Sequence, residues 1–276
     1  MKRGGNSYYL DAYGTPVVWY EMVKRFSAYS GPCIRVRRSS DNAEQDINFV
    51  GDLLDTTSLL SFVGAGNGFV TTFYTQVGTA NVTNATASEQ PQIVSSGALI
   101  TRNGFVSIKY NGINNSLFYN TQIINTINTS YFSVSQNDIS NTPGFIASQS
   151  VIDSSSITSR CDRSSNKRNA SAQTLPSYIG YFATLSIQRD DSNLRLLSSF
   201  INSSKIISGF DNGATGGVSS AYVGTLLNDG LLIGGIKTPA LISMNGAINC
   251  FGAYNTDNSA NRVAIETILN NYYAIY

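Results

Sequence analysis

Histidine is absent from this 276-residue chain, and its absence limits the chemistry that the chain can perform. Ser-His-Asp and Cys-His nucleophilic systems, histidine zinc sites and histidine general bases are all excluded. The three cysteines, Cys33, Cys161 and Cys250, lie far apart and form no C-x-x-C pair, which excludes zinc ribbons and thioredoxin-like sites. We expect Cys33 and Cys250, which lie in apolar runs, to be buried free thiols.

Carboxylates are the remaining groups that could act as acid, base or nucleophile. A retaining glycosidase needs two of them, about 5 Å apart. Asp211 and Asp229 lie in Asp-Asn-Gly and Asn-Asp-Gly sequences, which turn geometry alone explains. The other candidates are Asp190, Asp191 and Asp257. The chain has no Asp-x-Asp-x-Asn-Gly ladder, so no metal site is predicted.

The glycine-rich segment 64–68 is predicted to be a turn rather than a phosphate-binding loop. It lacks the Lys-Ser/Thr of a P-loop and the spacing of a dinucleotide fingerprint, and it precedes a strand-like run. The sequence therefore predicts no cofactor.

Charged side chains are few and nearly balanced. Lys and Arg number 18 against 17 Asp and Glu, for a net charge of +1, so no strong field attracts nucleic acid. Residues 1–7 lack the apolar stretch of a signal peptide and no apolar run spans a membrane, so we expect neither secretion by a leader nor membrane insertion. Two basic clusters are interpreted as solvated or locally paired charge, with contact with an anionic glycan or a partner subunit as the alternative: Arg35, Arg37 and Arg38, and Arg160, Arg163, Lys167 and Arg168.

The first third of the chain is predicted to contain two short helices and two strands. Trp19, Val23 and Phe26 recur at spacings of three and four, which is typical of a helix face. The predicted helices cover 17–29 and 56–63, and the predicted strands cover 33–38 and 69–74.

From residue 69 to about 255, short strand-like runs alternate with turn sequences, a pattern that favours a sandwich or jelly roll. The polar stretches 79–90, 111–130 and 153–175 are predicted to be surface loops, where binding would be placed. The predicted strands cover 105–110, 131–135, 178–189, 206–210, 221–227, 231–236 and 247–254. The predicted hairpin turns are Asn111-Gly112, Asp211-Asn212-Gly213, Asn228-Asp229-Gly230 and Asn245-Gly246.

The last segment, 259–273, returns to helical spacing and is predicted to be a helix packed on the edge of the sandwich. Aromatic residues make up 11% of the chain, a weak signal for sugar stacking. We expect Trp19, Tyr272 and Tyr273 to be packing residues.

The segment 31–47, Gly-Pro-Cys-Ile-Arg-Val-Arg-Arg-Ser-Ser-Asp-Asn-Ala-Glu-Gln-Asp-Ile, resembles the opening of the fungal-type arabinofuranosidase B catalytic domain. It is equally similar to bacteriophage tail and virion proteins that carry the same concanavalin A-like module. The resemblance implies an all-β, concanavalin A-like jelly-roll sandwich with short peripheral helices near the N-terminus and at the C-terminus. It implies one domain over 1–276, with an N-terminal segment and helix over 1–30 and a C-terminal helix over 259–276.

The arabinofuranosidase members of this family carry one catalytic carboxylate in an Asp-x-Glu-Asn-Gly stretch and another directly after a Gly-Gly strand end. In this chain Gly234-Gly235 is followed by Ile236 and Lys237, and no Asp-x-Glu-Asn-Gly occurs. Lys237 does not substitute, because its amine is cationic at neutral pH. The resemblance therefore implies that the catalytic residues are missing. No catalytic or metal-binding residue is predicted, and the carbohydrate-binding residues are not assigned.

These observations predict a non-enzymatic bacteriophage virion surface protein of the capsid-decoration, head-fibre or tail-fibre type. Its expected partners are other virion proteins, host-surface glycans and further copies of itself, but not nucleic acid. Its expected location is the virion surface, after assembly in the host cytoplasm and release by lysis. The alternative is a glycoside hydrolase of the arabinofuranosidase type, and the loops 111–130 and 211–230 are the first places to look for a glycan site.

Overall fold

The computed structural model describes a β-sandwich with two short α-helices. It describes residues 9–126, 128–138, 144–149, 156–161, 169–174, 179–184, 193–204, 206–218, 230–237 and 241–276, the four segments between 144 and 184 as backbone only. The helices are α1 (Thr56–Val63) and α2 (Arg262–Tyr273), with 3-10 turns at Asp11–Tyr13, Ala87–Glu89 and Ser259–Asn261. In the described part of the chain, neither α-helix has the length and apolar content needed to span a membrane.

The strands are short and follow one another closely along the chain. The first half contains β1 (Val18–Glu21), β2 (Ile34–Arg38), β3 (Glu44–Ile47), β4 (Phe49–Val50), β5 (Leu53–Leu54), β6 (Gly68–Phe73), β7 (Val82–Thr83), β8 (Gln92–Ser95), β9 (Ala98–Leu99), β10 (Thr101–Arg102), β11 (Phe105–Val106), β12 (Ile108–Asn111) and β13 (Leu117–Tyr119). The second half contains β14 (Thr129–Asn137), β15 (Gly144–Gln149), β16 (Ser156–Cys161), β17 (Asn169–Thr174), β18 (Ile179–Thr184), β19 (Arg195–Ile201), β20 (Ile207–Asp211), β21 (Ala214–Val218), β22 (Leu231–Ile233), β23 (Gly235–Lys237), β24 (Leu241–Ser243) and β25 (Asn245–Tyr254).

Among the described residues, nineteen strands form one hydrogen-bonded antiparallel sheet that folds into two layers, called sheet A and sheet B, while β4–β5, β10–β11 and β23–β24 form three separate two-stranded sheets. In sheet A, β25 pairs with β14 on one side and with β1 and β12 on the other, and β14 continues through β19 and β20 to β21. In sheet B, the order is β3, β2, β6, β7, β13, β22, β15, β16, β17 and β18. Strand β8 pairs with both β6 and β12 and so joins the two sheets along one side. The predicted all-β sandwich is confirmed.

Sheet A is covered on both faces, because successive residues of β25 belong alternately to two different hydrophobic clusters. Phe251 and Ala253 belong to the hydrophobic cluster between the sheets, whereas Cys250 and Tyr254 belong to a second cluster under α2. Successive residues of a strand point to opposite faces, so a strand with cover on both sides is apolar throughout. The predicted free, buried thiols of Cys33 and Cys250 are confirmed, and burial raises the pKa of both.

The predicted helix over 17–29 is wrong, because residues 18–21 form strand β1. Val18 and Tyr20 enter the cluster between the sheets, while Trp19 enters the cluster under α2. The strand therefore lacks the apolar–polar alternation of a half-buried strand, and its apolar run together with Val23 imitates helical spacing. Trp19 is a core residue, as predicted, with none of its side chain exposed.

Two further predictions fail for related reasons. Asn245-Gly246 is not a turn but the start of β25. A Cβ on Gly246 would lie 2.1 Å from the Gln136 carbonyl oxygen, so the glycine allows the two backbones to approach closely. Each of the three predicted loop stretches contains strand: β7 lies within 79–90, β13 within 111–130, and β16 and β17 within 153–175. Strand pairing there depends on backbone hydrogen bonds, which polar composition does not prevent.

Other predicted elements are confirmed. Helix α1 has the predicted bounds and is capped by Asp55, whose carboxylate accepts a hydrogen bond from the Ser58 N–H at 3.0 Å. Helix α2 lies in the predicted C-terminal segment. The Asn212-Gly213 turn has φ values of 50° and 77°, as a tight hairpin requires. The predicted strand 221–227 and residues 228–229 lie outside the described residues, and the single domain over 1–276 stays a prediction.

Glu21 and Arg25 form a buried ion pair between sheet A and α2. Arg25 donates to the Glu21 carboxylate through Nε at 2.8 Å and Nη2 at 2.5 Å, and both side chains are fully buried. The same carboxylate accepts two further hydrogen bonds. Trp19 Nε1 donates to it at 2.7 Å, and the Tyr273 hydroxyl donates to it at 3.0 Å. One carboxylate thus joins β1, the segment after it and the end of α2.

Arg25→Met should lower the free energy of unfolding by roughly 3–5 kcal/mol, because it leaves the Glu21 carboxylate buried without its cation. Urea or guanidinium denaturation measures this change. Arg38→Met is the matched control, since Arg38 pairs with Asp41 at 2.6 Å at the surface and solvent screens that pair. An equal decrease in the free energy of unfolding of both variants would show that the buried pair stabilises the fold no more than the surface pair does.

Candidate functional site

A polar cavity of about 570 Å³ lies at one end of sheet A, where β14 ends, β19 begins and the β20–β21 hairpin turns. Its volume falls within the roughly 300–1,000 Å³ typical of small-molecule sites. Its polar and aromatic lining comes from separate parts of the chain, namely Asn103, Gln136, Asn193, Arg195, Asp211, Asn212 and Tyr276. We call this cavity the end pocket.

Arg195 and Asp211 form the buried part of the end pocket. Their exposed fractions are 3% and 2%, although both contribute to its lining. The backbone places them at neighbouring strand ends, because Arg195 begins β19 and Asp211 ends β20, with Asp211 paired to Leu197. The formal charges of these two residues cancel. The end pocket therefore combines strong hydrogen-bonding groups with no net charge from its described side chains.

The hairpin between β20 and β21 forms one wall of the end pocket. The Asn212 N–H donates to the Leu196 carbonyl at 2.8 Å, and Asn212 Oδ1 accepts from the Leu196 N–H at 3.0 Å. These bonds extend the pairing with β19 to the tip of the hairpin. The turn is consequently held against sheet A.

The segment 274–276, which follows α2, forms another wall. Ala274 ends the helix in the left-handed conformation, with φ 50° and ψ 56°. The chain then reverses and brings the Tyr276 ring against the hairpin, where a Cβ on Gly213 would lie 3.0–3.2 Å from the ring and its hydroxyl. Tyr276 remains 55% exposed, so part of the residue is open to solvent.

Glu266 lies on α2 near this wall and makes two hydrogen bonds. Its carboxylate accepts from the Ser198 hydroxyl at 2.5 Å and from Arg262 Nη1 at 2.6 Å. Burial raises the pKa of the Glu266 carboxyl above its ordinary value, while Ser198 and Arg262 act in the opposite direction. Burial and the nearby Glu266 charge raise the pKa of Tyr276.

The structure places one predicted carboxylate in the end pocket. Asp211 lines it, whereas Asp257 accepts a hydrogen bond from the Ser259 N–H at 3.1 Å and so stabilises the turn before α2. Asp190, Asp191 and Asp229 lie outside the described residues. Lys237 ends β23, of which only the backbone is described at that position. Among the described residues that line the end pocket, Asp211 is the only one with a carboxylate side chain.

The first basic cluster is used within the fold. Arg35 pairs with Glu44 at 2.9 Å and with Asp46 at 3.6 Å, and Arg37 donates to the Gln90 side chain at 2.7 Å. Arg35 and Arg38 are therefore locally paired charges, as interpreted, whereas Arg37 is buried and donates to the neutral side chains of Gln90 and Asn42. The side chains of the second cluster, Arg160, Arg163, Lys167 and Arg168, lie outside the described residues.

Sequence reasoning assigned none of Asn103, Gln136, Asn193 or Tyr276 to a site. These residues come from a hairpin tip, a strand end, the start of a strand and the segment after α2, so no spacing along the chain links them. Of the two loops singled out, 211–230 contributes Asp211 and Asn212 to the end pocket. In 111–130, Asn111 Oδ1 accepts from the N–H groups of Ile113, Asn114 and Asn115 and so shapes its own turn. No group of three or more Cys, Asp or Glu in the described part of the chain could hold a metal ion.

Comparison with solved structures supports the fold. The chain is similar to an arabinofuranosidase complexed with arabinofuranosyl-α-1,2-xylobiose, at a TM-score of 0.61 and 13% identity, over 92% of this chain and 62% of that one. A mutant GH54 α-L-arabinofuranosidase soaked with 4-nitrophenyl α-L-arabinofuranoside gives a TM-score of 0.61 and 12% identity over the same shares. This chain thus spans about three fifths of the length of those enzymes.

A second kind of similar structure is a single domain. Domain 4 of AbnA, a GH43 extracellular arabinanase from Geobacillus stearothermophilus in complex with arabinotriose, gives a TM-score of 0.53 and 9% identity, over 92% of this chain and 98% of that domain. No family model matches the sequence and no curated protein matches it. At these identities the likeness establishes a β-sandwich fold shared with carbohydrate-active domains.

The free energy of unfolding of the Glu266→Gln variant, taken relative to that of the wild type, should increase as the pH rises from about 4 to 7. A carboxyl whose pKa is raised by folding contributes stability below its unfolded pKa and loses that contribution as the pH rises through its folded pKa. The glutamine variant has no such loss. Urea denaturation at several pH values measures the difference, and Glu44→Gln, which removes an exposed carboxylate, controls for the loss of one charge. A stability difference that falls with pH would contradict the raised pKa.

Proposed function

We propose that this protein is a non-enzymatic carbohydrate-binding protein of a bacteriophage virion surface, and that the end pocket is its glycan site. The observation that carries the proposal is the composition of the end pocket. Asparagine, glutamine, aspartate and arginine side chains surround a cavity of about 570 Å³ beside an exposed tyrosine ring.

This lining suits a neutral sugar. Each sugar hydroxyl is both a donor and an acceptor, and side-chain amides offer both functions in one group. Asp211 and Arg195 also line the cavity, and because their formal charges cancel, the lining does not favour an ionic ligand. A sugar ring also has apolar C–H faces, which the exposed ring of Tyr276 can cover.

The absence of activity is proposed from the carboxylates. Hydrolysis by a retaining or an inverting glycosidase uses a pair of carboxylates on either side of the scissile bond. The described lining of the end pocket supplies only Asp211. The sequence adds that Lys237 stands where the arabinofuranosidases of the resembling family have a carboxylate.

The virion location is proposed from the resemblance of segment 31–47 to phage tail and virion proteins. A surface rich in Asn, Ser, Thr and Gly, with 13% charged residues in the whole chain, suits exposure on a particle. The proposed partners are host-surface glycans, other virion proteins and further copies of the chain.

A glycoside hydrolase of the arabinofuranosidase type is the second candidate function. The likeness to two arabinofuranosidase structures over 92% of this chain favours it. This function requires a second carboxylate near Asp211, which would have to come from residues outside the described lining, such as Asp190, Asp191 or Asp229.

The two functions are separated by one assay on the full chain. The purified protein is applied to an array of bacterial surface glycans and neutral plant-type oligosaccharides, and released sugar is measured in the same wells. We expect retention without release. Release of sugar that Asp211→Asn abolishes would overturn the non-enzymatic proposal and establish the hydrolase.

Tyr276→Ala should weaken glycan binding about tenfold. Covering about 60 Å² of the ring at about 25 cal/mol per Å² is worth roughly 1.5 kcal/mol, which corresponds to a factor of about ten in affinity. Val263→Ala on α2 is the matched control, since that side chain is 63% exposed and does not line the end pocket. Affinity is measured by titration calorimetry with a retained oligosaccharide, and equal affinities for the two variants would remove Tyr276 from the site.

A further inference from the structure

We infer that Asn270 and Asn103 are positioning residues that hold Tyr276 in place as the stacking platform of the end pocket before a ligand binds. The inference rests on the proposed function and adds how the platform is made. Neither asparagine needs to touch the sugar, since both act through the backbone of the segment 274–276.

Asn270 uses its whole side-chain amide on this segment. Its Oδ1 accepts from the N–H groups of Ile275 and Tyr276, both at 2.9 Å, and its Nδ2 donates to the Tyr276 carbonyl at 2.6 Å. Its own carbonyl accepts from the Ala274 N–H at 2.8 Å. One residue in the last turn of α2 therefore binds three successive residues beyond the helix and sets the direction of the chain reversal.

Asn103 supports the same reversal from the β10–β11 hairpin. Its Nδ2 donates to the carbonyls of Tyr273 at 3.1 Å and Ala274 at 3.2 Å, two of the groups that a helix end leaves without an intrahelical partner. Asn103 itself has a φ of 49° at the tip of its hairpin, a conformation that asparagine tolerates better than most residues. The side chain of Asn103 also lines the end pocket.

The third support is the contact between Tyr276 and the β20–β21 turn. Gly213 has a φ of 77°, and a Cβ on it would approach the Tyr276 ring and hydroxyl to 3.0–3.2 Å. A glycine at this position therefore lets the ring lie directly on the hairpin that carries Asp211 and Asn212. The ring is fixed from one side by this turn and from the other by the backbone that Asn270 holds.

A platform ordered in advance binds more tightly than one that must be ordered by the ligand, because the entropy cost of ordering has already been met by the fold. Fixing the backbone of one residue costs the equivalent of roughly a tenfold change in affinity. We therefore expect Asn270→Ala to weaken glycan binding about tenfold although Tyr276 is still present.

The first test needs no ligand. Exchange of the Ile275 and Tyr276 amide hydrogens, measured by NMR on the full chain, should be faster in Asn270→Ala than in the wild type, because both N–H groups lose their acceptor. Protection of the Ile265 and Leu269 amides should stay unchanged, which would show that α2 is intact. Unchanged exchange at Ile275 and Tyr276 in Asn270→Ala would overturn the inference.

The second test is a double-mutant cycle in affinity for the array oligosaccharide that wild type retains most strongly. Asn270→Ala should weaken binding in the wild-type background and have no further effect in Tyr276→Ala, because its effect passes through Tyr276. The same loss in both backgrounds would overturn the inference. If Tyr276→Ala alone changes nothing, Tyr276 is not a stacking platform and the inference is overturned, whereas the proposed function fails only if the wild type retains no glycan.

Asn202→Ala is the matched control for both tests. Asn202 Oδ1 accepts from the N–H groups of Ser204 and Ile206, both at 3.0 Å, so it shapes its turn with the same chemistry as Asn270. It follows the end of β19 that is distant from Arg195. Loss of binding in Asn202→Ala as large as in Asn270→Ala would show that disturbing any asparagine-held turn is sufficient, and would overturn the inference.

Discussion

The Glu21 carboxylate is the interaction on which the arrangement around α2 depends. It accepts hydrogen bonds from Trp19 on β1, from Arg25 in the following segment and from Tyr273 at the end of α2. Burying a carboxylate is unfavourable unless it is paired and hydrogen-bonded, so these partners must stay together in the folded state. Because Tyr273 is the last residue of α2, the same contact fixes where the helix ends and where the segment 274–276 begins. The position of the segment 274–276, which forms one wall of the end pocket, therefore depends on a contact in the core.

Cover on both faces of sheet A is the second constraint, and glycines make it possible. A Cβ on Gly252 would lie 2.1 Å from the Trp19 ring, so the indole packs directly on bare backbone of the central strand β25. This close approach leaves room for Phe132 and Tyr254 around the indole, with ring centroids 6.4 Å from it. The aromatic cluster under α2 is consequently dense enough to hold the helix on the sheet. The helix in turn carries Asn270 and leads to Tyr276.

These constraints explain what the sequence could and could not predict. Helix α1 was predictable because its signals are local, with Asp55 as cap and helical spacing up to Val63. Strand β1 was mistaken for helix because the cover on its second face comes from α2, more than 240 residues further along the chain. The site shows the same division. Asp211 was a candidate only as one of the remaining carboxylates, and its turn sequence favoured a structural role. Arg195 and Tyr276 join it only through strand pairing and the chain reversal after α2, which no spacing in the sequence records.

The likeness to arabinofuranosidases and to an arabinanase domain does not by itself decide between cutting and holding a sugar, because one sandwich can carry either site. The decision lies in a few side chains at strand ends. Holding a sugar requires donors and acceptors around an apolar surface, and Arg195, Asp211 and Tyr276 can supply these from two strand ends and one reversed segment. Cutting requires a second carboxylate across the glycosidic bond. Among the described side chains of the end pocket Asp211 is the only carboxylate, and this observation underlies the proposal that the chain holds a sugar without cutting it.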